Sequence, residues 1–304
     1  MITSHTEPLS HLHNVPAPAK LNLFLHVNGR RADGYHLLQS VFMLIDWADT
    51  LHFDLRTDDR IVRHDETLGA LPERDLCVRA AQALKEATGC PYGVDIRLNK
   101  RLPAEAGLGG GSSDAASCLL ALNRLWGLDL QRRQLAEIGL SLGADVPFFI
   151  GGRNAWVEGV GEKLTPIGLP KAEFVVLKPP TGASTQAIFG SPLLKRDTKT
   201  ATIQGFAADN AAETTGSLLA CDIQSILDKA HNDLQPVASA LCPDVQHGID
   251  WLARQGLSGR MTGSGTAVFA RLPQGQQVRS APSAWVMKIC SNLDVHPLFG
   301  WCRD

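Results

Sequence analysis

No apolar run in this sequence approaches the roughly 20 residues that a membrane-spanning helix needs. An excess of charge of either sign is also missing: 29 Lys and Arg stand against 31 Asp and Glu, a formal net charge of −2. The basic clusters are only the pairs Arg30-Arg31, Lys100-Arg101 and Arg132-Arg133. A chain of this kind has no field with which to hold a phosphate backbone, so neither a nucleic acid nor a membrane is expected as partner. Paired cysteine spacing is lacking too. The seven cysteines are scattered without a CxxC, which predicts reduced thiols in a cytosolic protein. The first eighteen residues, MITSHTEPLSHLHNVPAP, have no basic start, no apolar core and no arginine, and so read as neither a secretory signal nor a transit peptide. His5, His11 and His13 lie within this segment, and a frayed, flexible polar extension over residues 1–16 is the expectation rather than a metal site.

What is present is an ordinary globular composition, 44% hydrophobic and 20% charged, in 304 residues, which at roughly 150 residues per domain suggests two domains. Residues 19–28, AKLNLFLHVN, alternate as a half-buried strand, with Leu21, Leu23, Leu25 and Val27 on one face and Lys20, Asn22, Phe24, His26 and Asn28 on the other. GRRADGY (29–35) reads as a connection, and LLQSVFMLIDWAD and LHFDLR as two further strands. DLCVRAAQALKEATG (75–89) has a helical period, capped by Asp75 and ended by Gly89, and residues 92–103 return to a period of two. Two helices are predicted over 114–127 and 131–143, then a hairpin in WVEGVGEKLTPI and a strand in FVVLKPP (174–180). The polar stretch 191–216 reads as an irregular excursion, helices follow near 222–230 and 244–255, and 259–272 reads as strand, tight glycine turn, strand. Strands and helices mixed without strict alternation, and with no internal repeat, favour an α+β class.

The densest chemical signal is PAEAGLGGGSSDAASCLLAL (103–122). Gly107, Gly109, Gly110 and Gly111 let backbone approach a ligand closely, and Ser112, Ser113 and Asp114 then open a helix whose free N–H groups point into the loop. That arrangement suits a phosphate. It is not a Walker A loop, since no lysine follows, and GxGxxG fails because Ser112 stands where the last glycine belongs. A glycine turn whose serines merely cap a helix would carry the same residues. Lys20 and Asn22 share a strand face, where a lysine is also simply an edge charge; Asp145, between Gly143 and Pro147, could equally cap a turn. Gly263 and Gly265, among the hydroxyls of Thr262, Ser264 and Thr266, form a second tight loop or a plain hairpin.

Taken together, these segments resemble the GHMP family of small-molecule kinases. The matching stretches are APAKLNLFLHVNGRRADGYHLLQSVF (17–42), PAEAGLGGGSSDAA (103–116), LGADVPFFIGG (142–152), EGVGEKLTP (158–166), HNDLQPVA (231–238) and MTGSGTAVF (261–269). The resemblance implies a two-domain α+β fold, with a mixed sheet and helices in residues 1–165, a smaller α/β domain in 166–304, and the active site in the cleft between them. It implies ATP and Mg²⁺, and a small-molecule acceptor. GRRADGYH points to a cytidylyl methylerythritol phosphorylated on its tertiary 2-hydroxyl, rather than to homoserine, mevalonate or a sugar. A catalytically silent relative would need to keep neither Lys20 nor Asp145.

Carried over residue by residue, Pro103, Gly107, Leu108, Gly109, Gly110, Gly111, Ser112 and Ser113 would hold the nucleotide, with Ser112 or Ser113 reaching the metal. Asp145 would orient the substrate hydroxyl and accept its proton, and Lys20 would stabilise the growing charge. Asn22, Tyr35, His36 and Phe189 would contact the substrate, the last three at its cytosine. Glu105 departs from the family's usual small residue and would have to point outward; Gln235 stands where glutamate is usual. Monomer and homodimer both remain open.

Overall fold

The computed structural model describes residues 7–65, 75–207 and 218–304. Its larger sheet has seven strands and is organised by a long antiparallel pair, β1 (His11–Arg30) and β2 (His36–Arg56), joined through the 31–35 turn. β2 also pairs with β4 (Gly93–Asn99) through its second half and with β5 (Ala155–Glu158) through its first. β3 (Ile61–Asp65) lies parallel to β4, and β5 forms the expected hairpin with β6 (Lys163–Gly168). The smaller sheet runs β11 (Val286–Ser291), β7 (Glu173–Lys178), β10 (Val268–Leu272), β9 (Arg260–Met261), and β8 (Leu219–Ala220) returns to the larger sheet beside β6. The expected division between residues 165 and 166 falls inside β6.

Three expectations about this sheet need correction. Residues 36–56 form one strand, not two, because Asp49 ties the strand where a break was expected. Its buried carboxylate accepts the backbone N–H of Arg101 at 2.5 Å and of Leu102 at 2.7 Å and pairs with the Lys100 ammonium. Residues 11–16 are not a frayed extension. A strand that runs to Arg56 would leave a bare edge, and His11 to Pro16 cover it, His11 opposite Asp54 and Pro16 opposite Thr50, with His13 Nε2 2.8 Å from Asp54 Oδ1. Residues 1–6, including His5, lie outside the described residues. Nor is β1 half-buried: Lys20 is 3% exposed and Asn22 1%, because the polar face of the strand roofs a cavity instead of meeting bulk water.

Helices α1 (Leu76–Thr88), α2 (Gly110–Leu125), α3 (Arg132–Leu142) and α4 (Val146–Gly151) pack against one face of the larger sheet and make the first core. Asp75 caps α1 by accepting from Val78 N at 3.0 Å, and Gly89 ends it in the left-handed region at φ +68°. α2 starts four residues ahead of the expected Asp114, at Gly110, so the glycines themselves form its first turn. A second core lies between the two sheets, and a third joins the smaller sheet to α7 (Gln235–Leu241) and α8 (Asp244–Arg254). α5 (Thr185–Gly190) and α6 (Ile223–Lys229) complete the helices of the described residues. The 191–216 excursion holds a single 3-10 turn at Ile203–Phe206 before it passes outside them.

Among the described residues no helix is long and apolar enough to cross a membrane. The cysteines are buried except Cys302, and burial raises the thiols of Cys77, Cys90, Cys118, Cys221, Cys290 and Cys302, that of Cys221 to about 11 and that of Cys290 to about 12. Such thiols stay protonated and unreactive at neutral pH.

Candidate active site

Two cavities, of 620 and 780 Å³, meet at Gly107, Gly109, Thr185, Gln186 and Ser264. The larger is walled by the first glycine loop. Gly107 and Gly109 both take left-handed backbone, at φ +72° and +71°. Space is as restrictive as conformation at Gly107, where a Cβ would stand 2.2 Å from the carbonyl oxygen of Thr262. The second glycine loop is packed against the first: a Cβ on Gly263 would lie 3.0 Å from Gly107 O and 3.2 Å from Asn22 Oδ1. The 259–272 segment is a hairpin, as its pattern predicts, and its turn also serves as the seam between the two cavities.

α2 enters this larger cavity without a cap. Gly109 is its N-cap residue and supplies no side-chain acceptor, so the amides of its first turn keep their donors free of side-chain partners. Sixteen aligned peptides put the positive end of a dipole at the same place. This is the geometry of an anion site. Pro103, Leu108, Gly110, Gly111 and Ser112 line the same cavity. Ser113 does not. It is fully buried and its hydroxyl donates to Pro18 O at 2.7 Å, which tethers α2 to β1. Glu105 is exposed at φ +50°, and its carboxylate lies over Gly182, where a Cβ would come within 2.7 Å of Oε2. Gln235 accepts Met261 N at 2.9 Å, a structural contact.

Deeper in this wall Lys100 lies between two carboxylates, 2.7 Å from Asp114 Oδ2 and hydrogen-bonded to Asp49. Burial pushes Asp114 up to about 7; the Lys100 ammonium draws it back down, and the Asp49 carboxylate adds to the rise. The position of Lys100, after a strand and among ordinary basic residues, carried no signal of this role.

Lys20 and Asp145 stand in the wall of the smaller cavity, with the Lys20 stem against Gly109 of the junction. Their sequence separation gave no reason for them to meet, and here Lys20 Nζ lies 3.5 Å from Asp145 Oδ2. Lys20 also donates to Asn22 Oδ1 and sits 4.6 Å from the centre of the Phe42 ring. Irregular register in β1, between Pro18 and Lys20 and again between Asn22 and Leu25, brackets these two residues and sets their aim. Asp145 precedes α4 as its N-cap residue, yet its side chain makes no capping bond. The capping alternative therefore fails, and the carboxylate faces the cavity instead. Asn22 is held rigidly, its N–H donating to Thr262 Oγ1 at 2.9 Å and its amide to Ser40 Oγ at 3.0 Å.

The far end of the smaller cavity holds Tyr35, His36 and Phe189. The turn before β2, closed by Arg31 N to Tyr35 O at 2.7 Å, leaves Tyr35 64% exposed at the mouth. His36 is buried with its ring centre 5.0 Å from that of Phe189. Burial lowers its pKa, with the cations of Arg196 and Arg30 adding to the effect. Arg196 donates to His36 Nε2 at 3.0 Å and was not singled out from the sequence, where it sits in a polar stretch with no motif.

Among the described residues no cluster of three or more His, Cys, Asp or Glu side chains could hold a metal ion. A cation carried in on a nucleotide's phosphates would not need such a cluster, and the Ser112 hydroxyl is a polar group on the cavity wall that could help to hold one. Residues 75–153 match the N-terminal domain of GHMP kinases, and residues 217–286 match the GHMP kinase C-terminal domain. A 4-diphosphocytidyl-2-C-methyl-D-erythritol kinase of Polaromonas sp. strain JS666 is 59% identical, over 97% of this chain and 95% of its own. The enzyme of that name from Variovorax paradoxus is 58% identical, over 95% of this chain and 98% of its own. A crystal structure of 4-(cytidine 5'-diphospho)-2C-methyl-D-erythritol kinase superposes with a TM-score of 0.66 at 34% identity, covering 86% of this chain and 90% of that one.

Proposed function

Because this chain belongs to the GHMP kinases, and among them to the 4-diphosphocytidyl-2-C-methyl-D-erythritol kinases, we infer that its two joined cavities hold the two substrates of that reaction. It transfers the γ-phosphoryl group of ATP to the 2-hydroxyl of 4-diphosphocytidyl-2-C-methyl-D-erythritol, a step in the non-mevalonate synthesis of isoprenoid precursors. The observation that carries the site assignment is the Lys20–Asp145 pair, 3.5 Å apart in the wall of the cavity that Tyr35 and His36 also line, with the Lys20 stem against Gly109, which borders both cavities.

Phosphoryl transfer asks a protein for position and for positive charge where charge develops. In our reading the first-turn amides of α2, with Gly107 to Ser112, hold the nucleotide phosphates. The acceptor hydroxyl lies against Asp145, which orients it and takes its proton late, as the oxygen bonds to phosphorus; an alcohol is far too weak an acid to be ionised by a carboxylate beforehand. Lys20 holds the carboxylate in place and offsets negative charge on the transferred group. Mg²⁺, when bound, would neutralise phosphate charge, and the Ser112 hydroxyl on the cavity wall is the protein group that would help to hold it. The cytosine end lies among Tyr35, His36 and Phe189. A cytoplasmic location and a division into domains near residue 165 go with this reading.

Two measurements follow. A coupled ADP-release assay with ATP and Mg²⁺ should give turnover with the cytidylyl substrate and only background with homoserine or mevalonate; equal rates with homoserine would remove the cytidine assignment. Ser112→Ala should raise the Mg²⁺ concentration needed for half-maximal rate several-fold. Ser113→Ala should leave that value unchanged and cost about 1 kcal/mol of stability in a denaturant titration, for the lost bond to Pro18 O.

A further inference from the structure

One guanidinium makes four directed hydrogen bonds beside the smaller cavity. Arg196 Nε donates to His36 Nε2 at 3.0 Å, Nη1 to Leu194 O at 2.9 Å, and Nη2 to Phe189 O at 3.0 Å and Ser191 O at 2.9 Å. Two of these partners, Ser191 O and Leu194 O, are carbonyls in the turn that follows α5, and a third, Phe189 O, is in the last turn of that helix. Besides Arg196, the turn is held by Leu194, which is buried in the third core, and by the bond from Leu193 N to Ser191 Oγ at 3.2 Å. Leu193 is 78% exposed, and the backbone bonds Ser191 N to Ile188 O and Leu194 N to Ser191 O are long, 3.2 and 3.3 Å. The fourth partner, His36, begins β2, a rigid central strand.

The bond to His36 also decides its chemistry. An arginine Nε–H is always a donor, so Nε2 of the ring must be an acceptor and the imidazole proton must sit on Nδ1. Among the described residues the other cation acting on this ring is Arg30, at the end of β1, and no carboxylate there opposes the two. The ring is thus a neutral donor at Nδ1, packed against Phe189 at 5.0 Å.

We propose that Arg196 is the positioning residue of the pyrimidine end of the cavity, fixing the His36 tautomer and fastening the Phe189 segment to β2 in a single contact. The proposal rests on the reading of this end as the cytidine site for its effect on substrate, though not for its effect on His36. A lysine could not replace the arginine, since a point charge has no planar fork to span a ring nitrogen and three carbonyls.

The test uses Arg196→Ala and Arg196→Lys in the full chain. Loss of charge-assisted bonds that order the site predicts that KM for the cytidylyl substrate rises about tenfold or more in both variants, while kcat and KM for ATP stay within about twofold. ¹⁵N spectra of histidine-labelled free protein should show His36 as the Nδ1–H form in the parent. In Arg196→Ala it should become a mixture of tautomers with a pKa raised from that of the parent, since one of the two cations that lower it is gone while burial and Arg30 remain. An unchanged tautomer in Arg196→Ala would overturn the proposal whatever the substrate proves to be. So would an unchanged KM in an enzyme active on the cytidylyl substrate, or equal losses for both substrates. Absence of any activity of the parent protein on that substrate would instead overturn the functional reading, with the tautomer result still deciding the role of Arg196.

Discussion

Asp145→Asn is expected to lower kcat about 10³-fold, the middle of the range for removing a positioned base, while the protein still folds and still binds ATP. The substitution is close to isosteric and falls on a side chain that makes no capping bond to α4; the charge it removes faces the buried Lys20 ammonium at 3.5 Å, where the amide still offers an acceptor oxygen. ATP affinity should survive because the phosphate-loop cavity is lined by other residues, and Asp145 borders only the smaller cavity. An amide at this position can still accept a hydrogen bond from the acceptor hydroxyl, but it cannot take up the proton. Binding of the cytidylyl substrate should therefore change less than turnover does. Steady-state kinetics with a separate nucleotide titration distinguish these outcomes; near-normal kcat would remove Asp145 from the chemistry.

Lys20→Met is expected to lower kcat about 10² to 10³-fold, by removing a preorganised positive charge from the place where negative charge grows. Methionine keeps most of the length and the apolar stem that lies against Gly109, which limits the structural damage, while the ammonium's contact with the Phe42 ring is lost. What it loses is the ammonium that pairs with Asp145 and donates to Asn22. If the pair works as a unit, the losses should not multiply. The Lys20→Met, Asp145→Asn double variant should be about as slow as the slower single variant, as groups in one catalytic constellation behave. Multiplied losses would mean that the two residues act on different steps.

Much of this site was legible in the sequence because its chemistry depends on local pattern. Glycine density predicted the loop at 107–111, and the hydroxyls after it predicted a helix start, which the fold places at Gly110. Alternation in 19–28 put Lys20 and Asn22 on one face, and that face proved to be the cavity wall. What local pattern could not carry was depth. The strand's polar face looked solvated because the cavity walls that enclose it come from far along the chain, Gly109, Asp145 and the 262–264 turn among them, as the bond from Asn22 N to Thr262 Oγ1 shows. The terminal segment looked frayed for a similar reason: HLHNVP has no apolar stripe, and only the long free edge of β2 makes it a strand. Ser112 and Ser113 are indistinguishable as letters. Helical geometry turns one toward the cavity and the other toward Pro18. Arg196 is the clearest omission, since a residue that works by bonding three backbone carbonyls and one histidine nitrogen needs no motif around it.

The account stands on phosphoryl transfer taking place at the Lys20–Asp145 junction. The most direct test is single-turnover, rapid-quench transfer of a labelled γ-phosphoryl group, with enzyme in excess over ATP and the cytidylyl substrate saturating. The parent enzyme should form labelled product in one fast exponential phase, and Asp145→Asn should form the same amount of product about 10³-fold more slowly. An undiminished fast phase in Asp145→Asn would place the variant's defect, if it has one, in product release and would contradict the assignment of chemistry to this pair.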